Sequence, residues 1–208
     1  MKIIPPSFEI LGSPDGAEML KSIERAGRTC YKSEDLITDD SAAAFVRRIL
    51  KRGHESVIEH AVLSVKIVCD RGVTHEIVRH RLASYSQEST RYCNYAKDKF
   101  GNELTFIRPF FWEEDSDKYA LWCTTMQGIE EAYMKMLQLG AAPEEARSIL
   151  PNSLKTEIIV TMNLRSWRHF FRLRTDKASH PQMREVARPL LDAFKGLLPV
   201  LFDDITYV

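Results

Sequence analysis

The nine residues from Ala61 to Cys69 constrain the fold most strongly, because every second one is apolar. The alternate positions hold alanine, leucine, valine, isoleucine and cysteine, while Ser64 and Lys66 lie among the others. Successive side chains of a β-strand point to opposite faces of the sheet. The pattern therefore predicts a half-buried strand, with an apolar face that other elements must cover.

Two helices are predicted before this strand. Apolar residues at helical spacing indicate a helix from Ala17 to Gly27, with Gly27 as its C-terminal stop. A second helix is expected to begin near Asp40 or Ser41, whose side chains would cap the first free amides, and to run to Gly53.

The chain after the strand is expected to turn at Gly72 into a short helix from Val73 to about Arg81. That helix would lead into a polar loop, Ser84–Arg91. Later patterns predict a strand over Glu103–Ile107, a long helix over Asp115–Leu139 that stops at Gly140, and a helix opened by Pro143. A β-rich segment, Thr156–Met162, follows, and another turn or helix is predicted from Asn163. The long helix has five residues expected to be buried: Leu121, Met126, Ile129, Tyr133 and Met136.

Residues 164–174 combine two kinds of side chain at helical spacing. Arg165, His169 and Arg172 would form a cationic side, and the bulk on the other side is supplied by Trp167, Phe170, Phe171 and Leu173. Four arginines in and after this segment are expected to be solvated: Arg168, Arg172, Arg184 and Arg188.

The segment from Arg79 to Arg91 holds three arginines, a histidine, three serines and an adjacent amide and carboxylate. Guanidinium groups bind phosphate or carboxylate oxygens in bidentate geometry. A solvated basic helix end is the alternative interpretation. The chain has 29 Lys+Arg and 29 Asp+Glu, so the local excess of cations does not come from a basic protein. We therefore favour a binding site for a charged, nucleotide-like ligand.

Composition narrows the class of protein. Zero formal net charge argues against a nucleic-acid coat protein and against a binder of anionic membranes. The four cysteines include no CxxC pair, and no two histidines have a spacing that favours a metal site. There is no signal-peptide pattern and no apolar run long enough to span a membrane. We expect a single domain, 1–208, in the cytoplasm, with reduced thiols and no metal.

Motifs for several common chemistries are missing from the sequence. There is no Gly-x-Gly-x-x-Gly fingerprint, no P-loop and no Gly-x-Ser-x-Gly elbow. Phosphates would have to be held by side chains, chiefly arginines. Difficult chemistry would have to come from a cofactor.

The spacing of the arginines resembles a known family. Arg79-His80-Arg81, seven intervening residues and then Ser89-Thr90-Arg91 is similar to the motif of the flavin-dependent thymidylate synthases. Other family-like segments follow in the expected order: Gly53-His54-Glu55-Ser56, Ala146-Arg147-Ser148-Ile149-Leu150-Pro151, Asn163-Leu164-Arg165 and Leu173-Arg174. The resemblance covers roughly residues 50–185, which a chance match to one motif would not do.

This resemblance implies an α+β fold, a mixed β-sheet flanked by helices, in a homotetramer whose active sites are shared between subunits. It implies an enzyme, a methyltransferase that converts dUMP to dTMP in de novo dTMP synthesis. FAD would be the cofactor, methylenetetrahydrofolate the carbon donor and NADPH the reductant. Nucleic acid and membrane are not expected as partners.

Site residues follow from the same resemblance. Those expected to contact FAD are Ser56, Arg79, His80, Arg81, Asn163, Arg165 and His169. Those expected to contact dUMP are Glu76, Arg79, Gln87, Glu88, Ser89, Arg91, Arg147 and Arg174. Arg174 would also be catalytic, because a guanidinium beside the pyrimidine stabilises negative charge that develops on the ring.

Three positions depart from the family pattern: Glu76 stands where glutamine is common, Gln87 where glutamate is frequent, and His169 where asparagine is frequent. Two other functions stay open. A flavin-free nucleotide-binding or sensor protein would bind dUMP without a flavin spectrum. An RNA-binding module would show salt-sensitive affinity for oligonucleotides, and the neutral net charge argues against it.

Overall fold

The structure is a computed structural model of the 208-residue chain, and it describes residues 1–98 and 101–207. Two sheets are present, a pair ordered β1-β5 and a four-stranded sheet ordered β2-β3-β6-β4. The strands are β1 Lys2–Ile4, β2 Ser7–Ile10, β3 Val62–Asp70, β4 Ala83–Gln87, β5 Thr105–Ile107 and β6 Lys155–Asn163. β1 and β5 are parallel, with Ile3 opposite Phe106.

Eight α-helices accompany the strands in the described residues. They are α1 Gly16–Thr29, α2 Ser41–Lys51, α3 Arg71–Ile77, α4 Asp117–Gln138, α5 Pro143–Ala146, α6 Leu164–Arg174, α7 Pro181–Leu197 and α8 Pro199–Phe202. The expected combination of sheet and helices is therefore confirmed. None of the described helices has the length and apolarity needed to cross a membrane.

The chain forms two compact units, and the prediction of a single domain stays a prediction. The first unit comprises Met1–Ser7, Ile67–Arg79 and Ser86–Ile158. The second comprises Phe8–Lys66, His80–Tyr85 and the chain from Ile159 onward.

Each unit has an aromatic core. In the first unit Phe106 and Trp122 meet edge to face, with ring centroids 6.4 Å apart, in a cluster that includes Tyr95 and Tyr133. The core of the second unit has five fully buried aromatic rings: Trp167, Phe170, Phe171, Phe194 and Phe202. Packed aromatic pairs at these separations stabilise a core beyond the area that they bury.

The predicted strand is confirmed as β3, and the five alternate residues from Ala61 to Cys69 are all buried. The β-rich segment is confirmed as β6. The helix expected from Asn163 begins there, because the Asn163 carboxamide oxygen accepts the Ser166 N–H at 2.8 Å and caps α6.

Gly27 does not end a helix, and this prediction was wrong. Gly27 lies inside α1, where a Cβ atom would stand 2.5 Å from Cζ of Phe45 on α2. The glycine allows the two helices to approach closely, and that reason cannot be read from local sequence.

The predicted start of α2 is confirmed, but its predicted capping is wrong. Neither Asp40 nor Ser41 caps a first-turn amide with its side chain. The Ser41 hydroxyl donates to the buried Glu24 carboxylate at 2.7 Å, and it accepts the Thr38 N–H at 2.9 Å.

The polar segment is not a loop throughout. Residues Ala83–Gln87 form β4, whose side chains alternate between exposed and half-buried. The preceding helix is α3, which begins at Arg71 because the Asp70 carboxylate accepts the Val73 N–H at 2.7 Å. It therefore includes Gly72, where a turn ahead of the helix was expected, and it ends at Ile77, earlier than predicted.

Three burial predictions on the later helices are also wrong. Leu121 of α4 is 69% exposed and its neighbour Trp122 is buried. Leu173 of α6 is 48% exposed. Arg168 is not solvated: it is 3% exposed and forms two hydrogen bonds of 2.7 Å with the Asp204 carboxylate, because the chain after α8 brings this acid over α6.

Candidate ligand-binding site

A cavity of about 450 Å³ lies in the second unit. The chain after α3, helix α6 with its capping residue Asn163, and a 3₁₀-helix, Glu55–His60, supply its walls. The lining side chains are Glu55, Glu59, His80, Arg81, Leu82, Asn163, Arg165, Ser166, His169 and Arg172. The tertiary structure thus brings together five of the seven residues expected to contact FAD.

Carboxylates balance part of the positive charge in this cavity. Arg165 donates to Glu59 at 2.6 Å and lies 4.0 Å from Glu55. Arg172 lies 3.6 Å from the same Glu55 carboxylate. Arg81 is exposed and forms no hydrogen bond or ion pair with any described residue. A ligand anion would therefore find one unpaired guanidinium and two that already share carboxylates.

His80 is the buried group of the cavity, and only 6% of it is exposed. Its Nε2 accepts a hydrogen bond from Arg174 Nε at 2.9 Å, and its ring packs on Phe170 with centroids 4.9 Å apart. Burial, with the nearby charges of Arg174 and His169, lowers the pKa of His80 to about 4. The imidazole is therefore neutral at pH 7, as the accepting Nε2 requires.

The first unit carries three of the arginines predicted to contact ligand: Arg79, Arg91 and Arg147. All three are exposed. Within the described residues none of the three guanidinium groups forms a hydrogen bond or ion pair, although Arg91 lies over the Tyr92 ring, 5.1 Å from its centroid. Their charge is therefore available to an anion, in contrast to the carboxylate-paired arginines of α6.

Gln87 ends β4 among buried hydroxyl groups. Its Nε2 donates to Thr74 Oγ1 at 3.1 Å and to Thr156 Oγ1 at 3.3 Å. The Thr74 hydroxyl itself donates to the Arg71 carbonyl at 2.8 Å, so it is an acceptor toward residue 87. This arrangement explains glutamine at 87, because a carboxylate there would face an acceptor.

Glu88 follows Gln87, and both oxygens of its carboxylate have partners. One of its carboxylate oxygens accepts the Tyr95 hydroxyl at 2.8 Å, and the other lies 3.0 Å from Lys155 Nζ. Ser89 begins the next turn, where its Oγ accepts the Arg91 N–H at 3.3 Å. Glu76 is half-buried near the end of α3.

Ser56 and Arg79 do not line the cavity that contains the other five FAD-contacting candidates. Ser56 lines a second cavity of about 420 Å³ in the same unit, together with Arg28, Arg48 and His54. No group of three or more potential metal-ligating side chains is arranged around a common point in the described ranges.

Sequence reasoning missed four side chains of these sites: Glu55, Glu59, Arg172 and Lys155. Glu55 and Glu59 are four residues apart, and both reach toward arginines of α6, more than 100 positions later. Arg172 was assigned to solvent, although it lines the cavity. Lys155 gave no local signal, since its partner Glu88 lies 67 positions away.

Fold and site together define a protein of mixed helices and sheets with arginine-rich sites suited to an anionic, ring-bearing ligand. Residues 15–200 match the family model of the thymidylate synthase complementing protein. The chain belongs to this family, the flavin-dependent thymidylate synthases. The match confirms the predicted family and, with it, the prediction that the chain is a flavin-dependent enzyme.

Similar proteins agree with this assignment. A flavin-dependent thymidylate synthase of Pyrococcus furiosus is 40% identical over 167 residues, which are 80% of this chain and 68% of that protein. One from Geobacter sulfurreducens is 34% identical over 190 residues, with 88% and 80% covered. One from Mycolicibacterium gilvum is 34% identical over 218 residues, with 96% and 84% covered.

The fold has a solved counterpart. The crystal structure of a UMP/dUMP methylase from Streptomyces cacaoi, bound with 5-Br dUMP, matches with a TM-score of 0.78 and 23% identity. The match covers 98% of this chain and 96% of that chain.

Proposed function

We propose that the protein converts dUMP to dTMP by FAD-dependent reductive methylation, with methylenetetrahydrofolate as carbon donor and NADPH as reductant. The observation that carries this proposal is the family match over residues 15–200. The matched region includes the arginines of the cavity in the second unit and the exposed arginines of the first unit. The enzyme class and the flavin dependence follow from the family itself.

The cavity of the second unit fits part of a flavin nucleotide. Its volume of about 450 Å³ lies within the range of small-molecule sites, about 300–1,000 Å³. Its guanidinium, imidazole and carboxamide groups are the donors that a pyrophosphate and a flavin ring require. Arg81, Arg165, His80, His169 and Asn163 would hold FAD there. When bound, FAD supplies the redox chemistry that side chains of the protein do not provide.

The first unit would hold the phosphate of dUMP. Arg79, Arg91 and Arg147 have no carboxylate partner among the described residues, and an exposed arginine binds phosphate in bidentate geometry at little desolvation cost. Ser89 would add a hydroxyl contact.

Arg174 would act on the pyrimidine. Because the neutral His80 ring accepts its Nε–H, the guanidinium plane is held in one orientation rather than free to rotate. A fixed cation beside the ring stabilises negative charge as it develops there, without reorganisation during the reaction. Loss of this group in an Arg174→Ala variant is expected to abolish most of the turnover.

The assembly would be a homotetramer with active sites shared between subunits, as in the family. Several large apolar side chains are exposed on the single chain, including Leu82 at 81%, Leu139 at 75% and Tyr92 at 75%. Light scattering at working concentration tests this, and a monomer would contradict it. A cytoplasmic location likewise stays a prediction.

The visible absorption spectrum of the purified protein, reconstituted with FAD and titrated with dUMP, tests the proposed function. A bound-flavin spectrum that dUMP perturbs would support one site for cofactor and nucleotide. Formation of dTMP in the presence of NADPH and methylenetetrahydrofolate would then support the proposed reaction. Binding of dUMP without any flavin spectrum would favour the nucleotide-sensor alternative instead.

A further inference from the structure

The Glu88 carboxylate is already engaged by two side chains of the first unit. Tyr95 Oη donates to one oxygen at 2.8 Å, and Lys155 Nζ lies 3.0 Å from the other. The Glu88 side chain is 14% exposed. A ligand would therefore meet a carboxylate whose two oxygens are both engaged and whose direction is fixed.

Lys155 connects this carboxylate to the sheet. Its ammonium group also lies 2.6 Å from the Glu157 carboxylate, and its side chain is 19% exposed. The Glu88 N–H donates to the Glu157 carbonyl at 2.9 Å. Glu88 is thus tied to β6 through both backbone and side chain.

The residues between Glu88 and Tyr95 form a tight turn that carries Ser89 and Arg91. The N–H groups of Tyr92 and Cys93 both donate to the Ser89 carbonyl, at 3.1 and 3.0 Å. Tyr95 is buried in the core of the unit. Its hydrogen bond with Glu88 therefore closes the turn into a ring that is anchored at both ends.

We propose that Lys155 and Tyr95, acting through Glu88, are positioning residues that hold Ser89 and Arg91 for the phosphate of dUMP. Glu88 itself then orients the turn and does not read the base. This inference rests on the proposed function. Without the contacts of Tyr95 and Lys155 with Glu88, the turn would have to be ordered when dUMP binds. The entropy cost of that ordering would weaken dUMP binding.

Isothermal titration of dUMP into the FAD-loaded protein tests this directly. Tyr95→Phe removes one oxygen atom and Lys155→Met removes the ammonium group. For each we expect the Kd for dUMP to rise about tenfold, the effect of losing a hydrogen bond to a charged group. The KM for dUMP should rise with it while kcat stays within about twofold, since the groups that meet the reacting ring are untouched. Lys155→Arg should restore most of the affinity.

The chain offers a matched control for the carboxylate. Glu130 has the same 14% exposure, pairs with the N-terminal ammonium group at 3.0 Å and accepts the Leu104 N–H at 2.7 Å. We expect Glu88→Gln and Glu130→Gln to lower the melting temperature alike, whereas only Glu88→Gln should raise the Kd for dUMP.

Three results separate the explanations. If Glu88→Gln and Glu130→Gln weaken dUMP binding equally, the effect is general destabilisation of the protein, and the inference is overturned. If Glu88→Gln weakens dUMP binding while Tyr95→Phe and Lys155→Met leave the Kd for dUMP unchanged, Glu88 contacts dUMP itself. That result would also overturn the inference. If the wild-type protein does not bind dUMP at all, the proposed function fails instead.

Discussion

Arg174 Nε donates a 2.9 Å hydrogen bond to Nε2 of His80, a residue 94 positions earlier in the chain. A cationic donor and a neutral imidazole acceptor form this contact in a partly buried setting, where the T-shaped packing of His80 on Phe170 fixes the ring. The residue assigned to FAD binding and the residue assigned to charge stabilisation are therefore coupled. A change in one is expected to alter the other.

Replacing the acceptor at residue 80 tests this coupling. His80→Leu should lower kcat for dTMP formation about 10- to 100-fold, because a hydrogen bond to a charged group contributes about 1.5–3 kcal/mol. His80→Gln keeps an acceptor oxygen and should recover part of the loss. His60→Leu, at an exposed histidine outside the site, serves as the control. Equal activity of the leucine and glutamine variants would contradict the coupling.

Low pH should break the same contact. Because the folded pKa of His80 is about 4 and an unfolded histidine titrates near 6.5, the folded state binds fewer protons between these values. The stabilisation is fully present above about pH 6.5 and is lost as the pH falls toward 4. Thermal unfolding between pH 8 and pH 4 should show a steeper loss for the wild type than for His80→Gln. If the melting temperatures of the two proteins fell in parallel with pH, His80 would not be the source of the stability loss at low pH.

The unpaired arginines of the first unit should control affinity for the nucleotide phosphate. Arg91→Ala or Arg147→Ala should each weaken dUMP binding by about 1.5–3 kcal/mol, which calorimetry would detect as a 10- to 100-fold higher Kd. Arg108→Ala is a suitable control, since Arg108 lies in the same unit and is paired with Glu114. Deoxyuridine, which is dUMP without its phosphate, should bind to the wild type as weakly as dUMP binds to the variants if these arginines contact the phosphate. Unchanged affinity in both variants would remove these arginines from the site.

Glutamate at residue 87 should be tolerated less well than glutamine. Since the Thr74 hydroxyl donates to the Arg71 carbonyl, Gln87→Glu would leave a half-buried carboxylate without that partner. The free energy of unfolding should fall by about 1–3 kcal/mol in denaturant titrations. The exposed Gln138→Glu change should alter it by less than about 0.5 kcal/mol. A Gln87→Glu protein as stable as the wild type would show that the hydroxyl of Thr74 or Thr156 turns to donate to the new carboxylate.

Two glycine substitutions should have opposite effects on stability. Gly27→Ala places a methyl group against the Phe45 ring and should destabilise by about 1–3 kcal/mol. Gly128→Ala lies in α4 with no atom within 4 Å of its Cβ position, so it should stabilise by about 0.5–1 kcal/mol. Melting temperatures of the two variants measure this, and a similar shift in both would contradict the packing explanation.

The sequence by itself determined the elements that depend on local pattern. The alternation at Ala61–Cys69 predicted β3, because a strand with one buried face needs an apolar residue at every second position. Asn163 marked the start of α6, since a capping side chain acts within three residues. The Arg79-His80-Arg81 and Ser89-Thr90-Arg91 motif, with other family-like segments in the expected order, was enough to identify the family. A ligand with fixed atoms requires a fixed order of side chains.

Only the tertiary structure decided how each polar side chain is paired. Arg168 looked like a solvated residue until Asp204, 36 positions later, was found beside it. Lys155 and Glu88 are 67 positions apart, and Gly27 packs on a ring of another helix. Burial and ion pairing depend on contacts between residues distant in sequence, and periodicity and spacing carry no information about which distant partner the fold will bring near.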